Sequence, residues 1–312
     1  MEDATSAEAV HEALSHAPVR VVSARIPLGT RLRNLVNRRE LLRNLVISDI
    51  RIKYKGSALG LLWSMLAPAF TLGIYYLVFS VVLKNGYPNY VIFLFSGLIV
   101  WNLFQNAVNS ATGVIVDRAG LVKKVSFPRE ILPLASVGSA VIYFLIQLGV
   151  LAIFLVIFHH APNWEMLAIL PITFAALYLF TASVAIVMSA FTVYLRDMKH
   201  LMEVLLQLWF WMSPVVYSYS NSLATQLGTH HLKWFYFMNP MALMVLTFQR
   251  TFYVSTDVHS VIAPHGLIHM LPKWAPSSFL YLNLGLLAVM GVVFLVALTI
   301  FGRLEGNFES EL

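Results

Sequence analysis

Residues 58–83 read ALGLLWSMLAPAFTLGIYYLVFSVVL, a run without a single Asp, Glu, Lys or Arg. About 20 such residues, rising ~1.5 Å each, cross the ~30 Å hydrocarbon core of a bilayer. The stretch therefore predicts a membrane-crossing helix, kinked at Pro68, where a backbone donor is missing. Five more apolar runs follow, at 90–116, 131–158, 166–194, 201–219 and 277–301. The fifth ends in a Ser213-Pro214 break. Residues 220–276 are mixed, and their apolar piece, 234–254, is interrupted by Asn239-Pro240. Broken backbone is tolerated at membrane depth only where protein or water covers it, so this region predicts a re-entrant or interfacial hairpin.

Composition agrees with the spans. Of 312 residues, 59% are apolar and 12% charged, about half the charge a soluble domain carries. The absence of cysteine excludes disulfides, thiolate metal sites and cysteine nucleophiles. Residues 1–18 are rich in Ala, Glu and His and hold no apolar run, which excludes a secretory signal there and predicts a disordered tail.

The net charge of +6 is explained by topology. If the N-terminus is cytoplasmic, the inner segments 1–57, 117–130, 195–200 and 302–312 hold 17 of the 21 basic residues, and the outer ones keep Lys84, Lys233, Arg250 and Lys273. That asymmetry follows the positive-inside rule and needs no nucleic acid. Leu35, Leu42, Leu45 and Val46 recur at helical spacing between Arg33, Arg38, Arg39 and Arg43, which predicts an amphipathic helix at the membrane surface over 31–46. The expected fold is an all-α integral membrane protein with six transmembrane helices and both termini inside. An N-terminal amphipathic interface helix precedes the spans, and a re-entrant hairpin separates spans five and six. Its segments are a tail (1–30), the interface helix and entry motif (31–57), the transmembrane domain (58–302) and a C-terminal tail (303–312).

Catalytic machinery is not evident. The spans carry almost no ionisable residues, which proton-coupled transporters and membrane enzymes need. No phosphate-binding Walker loop, H-E-x-x-H or G-x-S-x-G occurs. His159 and His160 are adjacent and point apart on a helix, as in a solvated turn. Energy for any work is expected from another chain.

Three features carry chemistry. Aromatic residues crowd the spans, among them Trp63, Tyr75, Trp101, Phe104, Tyr143, Trp209 and Tyr217. Each alone fits an interfacial belt or packing; as a set they suggest a path for sugar rings. Asn102, Asn106 and Asn109 stand at i, i+4 and i+7 on one helical face, either as interhelical glue or as channel lining. The loop 117–130 carries Asp117, Arg118, Lys123, Lys124, Phe127, Pro128, Arg129 and Glu130. It reads as a short surface helix, a solvated loop or a docking surface for a cytoplasmic partner.

The motifs resemble a known family. Asp49-Ile50-Arg51-Ile52-Lys53-Tyr54-Lys55-Gly56-Ser57-Ala58-Leu59-Gly60, then Trp63 and Pro68, resembles the entry motif of type-2 ABC polysaccharide exporter permeases, which serve O-antigen, capsule and teichoic acid export. The segment from Leu121 to Pro133, the run Tyr194-Leu195-Arg196-Asp197, the run Trp211-Met212-Ser213-Pro214-Val215 and Asn239-Pro240 with Arg250 resemble further parts of the same pattern, in order. The resemblance implies a homodimeric permease in a bacterial cytoplasmic membrane, with two copies of a separate ATPase that carry ATP and Mg, and no cofactor or metal on this chain. It implies a polyprenyl-diphosphate-linked polysaccharide as cargo. It assigns ATPase coupling to Asp117 through Glu130 and a gate to Asn239, Pro240 and Arg250. Arg51, Lys53 and Lys55 lie where a lipid diphosphate headgroup could be held, and positive-inside anchoring explains them equally well. Sugar-path residues would be Trp63, Tyr75, Trp101, Asn102, Phe104, Asn106, Trp209 and Tyr217. Export of a smaller lipid or drug, and a membrane glycosyltransferase, are the alternatives.

Overall fold

The computed structural model describes residues 27–82, 88–125, 127–218, 238–255, 257–259 and 267–312. The amphipathic segment forms two helices, α1 (Leu28–Asn37) and α2 (Arg39–Tyr54). The single helix expected over 31–46 is broken at Arg38, which leaves the helical region at φ −97°, ψ 21°. Leu32, Leu35, Leu42 and Leu45 turn toward the protein, while Val36 and Ile52 stay exposed.

The first span begins as α3 (Trp63–Tyr76), with Pro68 inside it, and widens into a π-helical turn at Leu77–Val82. Next come α4 (Tyr90–Thr112), the short α5 (Val114–Asp117) and α6 (Ala119–Lys124), and α7 (Ile131–Ile157). A four-residue helix α8 (Trp164–Leu167) is capped by Asn163, whose Oδ1 accepts from the Glu165 and Met166 amides. The chain continues through α9 (Leu170–Tyr194), α10 (Met198–Met212) and α11 (Pro240–Phe252). A two-stranded antiparallel pair follows, β1 (Asp257–His259) with β2 (Leu267–His269), in register Val258 to Ile268. It adds a strand pair to a fold expected to be wholly helical. The chain ends in α12 (Pro276–Leu304) and α13 (Phe308–Glu311).

Among the described residues five helical stretches are long and apolar enough to cross a membrane: Met65–Val82, Tyr90–Thr112, Ile131–Ile157, Leu170–Tyr194 and Pro276–Asn307. The run expected as span five is different. Its helix α10 has 15 residues, about 22 Å of rise and so short of a ~30 Å core. The chain then leaves the helix at Ser213. The break expected there is present, and Gln249 supports it by donating from Nε2 to the carbonyls of Pro214 (3.0 Å) and Val215 (3.3 Å). Those carbonyls would otherwise be buried without partners. Much of the expected hairpin, 220–237, 256 and 260–266, lies outside the described residues, as do residue 219 and the tail 1–26.

The centre of the molecule is α4. Its apolar face is buried almost throughout, against α7, α9, α10 and α11. Phe104 stacks on Phe180 at 5.2 Å and meets Trp209 edge-on at 5.3 Å; Trp101 meets Phe210 at 5.5 Å. Polar bonds fix the helix order. Thr173 Oγ1 donates to Asn283 Oδ1 (2.9 Å), and Asn283 Nδ2 donates to Thr247 Oγ1 (3.1 Å), joining α9, α12 and α11. Between apolar helices such bonds supply specificity that hydrophobic burial does not. The outward faces of α10 and α12 expose Leu201, Val204, Leu208, Tyr281, Val289 and Val292, apolar surfaces suited to lipid or a partner rather than water.

Candidate functional site

Two neighbouring cavities open along one side of the bundle. The first, of about 380 Å³, is lined by Asp49, Lys53, Asn106, Ser110, Asp117, Arg118, Ser136, Ser139 and Tyr143, among others. The second, of about 330 Å³, is lined by Lys53, Tyr54, Trp63, Pro68, Thr71, Asn102, Asn106, Tyr143 and Gln147. Lys53, Asn106 and Tyr143 belong to both, so the two form one groove. Helical periodicity builds it. Asn102, Asn106 and Ser110 fall on one face of α4; Ser136, Ser139, Tyr143 and Gln147 fall on one face of α7. From Ser136 to Gln147 the groove follows α7 for about 16 Å.

The groove sets polar side chains on a partly apolar wall. Asn106 and Ser110 are exposed and make no hydrogen bond to protein among the described residues, whereas Asn102 Nδ2 donates to Gln147 Oε1 at 3.1 Å. The stripe on α4 therefore serves both readings: Asn102 is interhelical glue, and Asn106 faces open space. At the junction the Lys53 ammonium lies 4.6 Å from the Tyr143 ring centroid, an attraction that strengthens as water is withdrawn. Among the described residues no carboxylate lies within ion-pair distance of Lys53, and partial burial holds its pKa below the ordinary lysine value. Gln147, Ser136 and Ser139 were missed by the sequence reading. Their spacing along α7 repeats the spacing that marked α4, and that was the available signal.

The other expected path residues divide. Trp63 is exposed on the groove wall. Trp101 and Phe104 are buried in the core, and half-buried Trp209 packs with Phe104 and Phe180. Tyr75 stacks on Phe210 at 5.8 Å, and Tyr217 donates to the Trp211 carbonyl at 3.1 Å. In this chain these five line neither cavity. Arg51, Lys53 and Lys55 are all exposed; Arg51 and Lys55 lie outside the groove, and Lys53 is the basic residue of the motif that lines it.

Loop 117–130 is a tied platform and not a single helix. Arg118 pairs with Asp49 on α2. Asp117 accepts from Lys199 in the first turn of α10 at 2.8 Å. Arg31 on α1 pairs with buried Glu130, and its Nη1 and Nη2 donate to Glu305 Oε2 (3.1 Å) and Oε1 (2.9 Å). Arg129 donates to the Glu305 carbonyl at 2.9 Å and lies 6.0 Å from the Phe308 ring. Phe127 and Pro128 border a cavity of about 300 Å³ beside this cluster. Burial, and then the charge of Glu305, push the Glu130 carboxyl above the usual carboxylate range. Outward from this frame, α6 exposes Leu121, Lys123 and Lys124, followed by Val125.

Asn239 and Pro240 start α11: Asn239 Oδ1 accepts from the Met241 amide (3.1 Å), and Pro240 occupies the first turn, where its missing donor costs nothing. The same Oδ1 accepts from Trp209 Nε1 (2.9 Å), and Nδ2 donates to Ser213 Oγ (3.0 Å). Arg250 donates to the carbonyl of Val254. His160 Nε2 contacts the Tyr253 carbonyl at 2.9 Å, and among the described residues no cluster of His, Asp or Glu could hold a metal.

Comparison with known proteins converges with this architecture. The sequence is 31% identical over 249 residues to the O-antigen export system permease protein RfbA of Myxococcus xanthus, covering 79% of this chain and 94% of that one. It is 28% identical over 271 residues to the Klebsiella pneumoniae protein of the same name, covering 87% and 94%. Residues 40–253 match the family described as ABC-2 type transporter. That match takes in the end of the interface helix, the groove, the tied loop and the α10–α11 clamp, so this multi-pass membrane chain belongs to the ABC-2 type transporter family.

Proposed function

We propose that this chain is the membrane subunit of an ATP-driven exporter that moves a polysaccharide, carried on a polyprenyl diphosphate, across a bacterial cytoplasmic membrane. The observation that carries the reading is the platform. Ion pairs tie loop 117–130 to α1, α2 and the first turn of α10, while Lys123 and Lys124 stay exposed at its tip. Such a frame transmits a push from a cytoplasmic ATPase, which would hold ATP and Mg, into the helices that wall the groove. The assembly is two copies of this chain with two of the ATPase. Each copy crosses the membrane six times with both termini inside; the run 201–219 forms the fifth crossing, and 220–276 form the re-entrant gate region with Asn239, Pro240 and Arg250.

In this reading Trp63, Asn102 and Asn106 meet the glycan: ring faces pack on sugar rings and amides bond hydroxyls. Trp101, Phe104, Tyr75, Trp209 and Tyr217 support that wall from behind in the state described, and reach the path only where the helices separate. The decisive experiment is co-purification with the ATPase encoded beside this chain, followed by ATP hydrolysis with and without lipid-linked glycan. A stable complex whose stimulated hydrolysis collapses on replacing 123–129 by Gly and Ser supports the reading. A chain that purifies alone and binds no ATPase contradicts it.

A further inference from the structure

Resting on that exporter reading, we propose that the groove is a two-part recognition site: its lower half takes the diphosphate of the lipid-linked cargo, and Arg118 reports that the site is full by exchanging Asp49 for the diphosphate. The two halves differ in chemistry. The half toward α3 offers Trp63, Tyr54, Asn102 and Gln147, ring faces and amides suited to a sugar. The half toward α5 offers Lys53, Arg118, Asn106, Ser110 and Ser136, which are cations and small donors suited to a compact anion.

Charge favours the anion. The lower half also holds Asp49 and Asp117, but each already faces a cation, Arg118 and Lys199 respectively. Lys53 faces a ring and no carboxylate, so it is the uncompensated charge of the cavity. Partial desolvation lowers its pKa although the side chain still reaches solvent, and a bound anion favours its charged form. A diphosphate seated on Lys53, Asn106 and Ser110 sits in the cavity that Arg118 lines.

Arg118 couples the site to the platform. Arg118 pairs with Asp49, and a guanidinium has five N–H donors, which pair best when two of them engage one oxyanion group. A diphosphate offers that geometry together with more negative charge than Asp49. When Arg118 turns to it, the tie between α2 and the α5–α6 segment is released. The segment that meets the ATPase thus has one arrangement with the groove empty and another with it full, which is what coupling between distant sites requires. Diphosphate binding would then alter ATP hydrolysis before any sugar enters.

The test uses the complete complex in nanodiscs, with ATP hydrolysis followed while polyprenyl diphosphate bearing no sugar is titrated. The expected result is a saturable change in rate. Lys53→Gln raises the half-maximal concentration tenfold or more, Lys53→Arg keeps it within threefold, and Arg43→Gln, exposed on α2 and outside the groove, shifts it less than twofold. Asp49→Asn, which frees Arg118 in advance, at least halves the size of the response. An unchanged half-maximal concentration in Lys53→Gln overturns the site, and a full response in Asp49→Asn overturns the switch. Inorganic pyrophosphate acting at the same concentrations as the lipid overturns the headgroup assignment in favour of the free anion. A complex that hydrolyses ATP and exports glycan yet ignores polyprenyl diphosphate overturns this inference alone; failure to form any complex with the ATPase removes the exporter reading as well.

Discussion

Arg31 and Glu130, 99 residues apart in the chain, are ion-paired with both side chains almost wholly buried, and Glu305 from the C-terminal end completes the cluster. Three distant segments are thereby fixed to one guanidinium. Removing one partner of a buried pair leaves an uncompensated charge and costs about 3–5 kcal/mol. Arg31→Ala, which strands two carboxylates, is expected to lose stability in that range. Glu130→Gln keeps the shape, removes the like charge beside Glu305 and should change stability by about 1 kcal/mol or less. Thermal unfolding of the purified protein in detergent distinguishes the two; equal losses would deny Arg31 its role.

The same cluster sets a pH dependence. The Glu130 carboxyl is raised in the fold, chiefly by burial, so the native state binds its proton more tightly than the unfolded chain. Its stabilising contribution is complete below the ordinary carboxylate range and is lost as pH rises from that range through the raised value. Melting temperatures recorded across this interval should fall with rising pH in the wild type relative to Glu130→Gln. Parallel curves would show that Glu130 titrates normally.

Gly302 carries the guanidinium. A Cβ there would stand 2.7 Å from Arg31 Cζ, and that group cannot swing away while two carboxylates hold it. Gly302→Ala should cost about 1–3 kcal/mol through overpacking. Gly291→Ala, on the same helix with open space around its Cβ position, is the matched control and should lose nothing. Equal behaviour of the two would mean Arg31 is not pinned.

Asn239 joins the start of α11 to the end of α10. Asn239→Ala removes a helix cap worth about 0.5–2 kcal/mol and frees Trp209 and Ser213. The expected outcome is a less stable protein with altered Trp209 fluorescence, while Asn239→Asp, which keeps the capping oxygen, retains most of both. An unchanged spectrum in Asn239→Ala would contradict the clamp.

Long apolar runs announced five crossings because a bilayer imposes length and hydrophobicity on each helix separately. Over the fifth run, 201–219, composition suits lipid, but Ser213 and Pro214 end the helix early, and only the partners Gln249 and Asn239 show how the break is supported. Asn106 was legible because an amide in an apolar helix must face something polar. Trp101 and Phe104 were not placed, since a buried aromatic and a path-lining one look alike in sequence. The ion pairs of Arg31 with Glu130 and of Asp49 with Arg118 join residues far apart in the chain, and no local pattern reveals such pairings. The split of the interface helix at Arg38 was likewise hidden, because both halves share one amphipathic face.

Export itself is the most direct measurement. Proteoliposomes holding this chain and its ATPase would be loaded with lipid-linked glycan on the ATP-facing leaflet, and the glycan reaching the opposite side counted by its susceptibility to an enclosed glycosidase. ATP-dependent cleavage in the wild type, lost in Lys53→Gln and in the 123–129 replacement, is the predicted result. Glycan that stays protected despite ATP hydrolysis by an intact complex would contradict polysaccharide export by this chain.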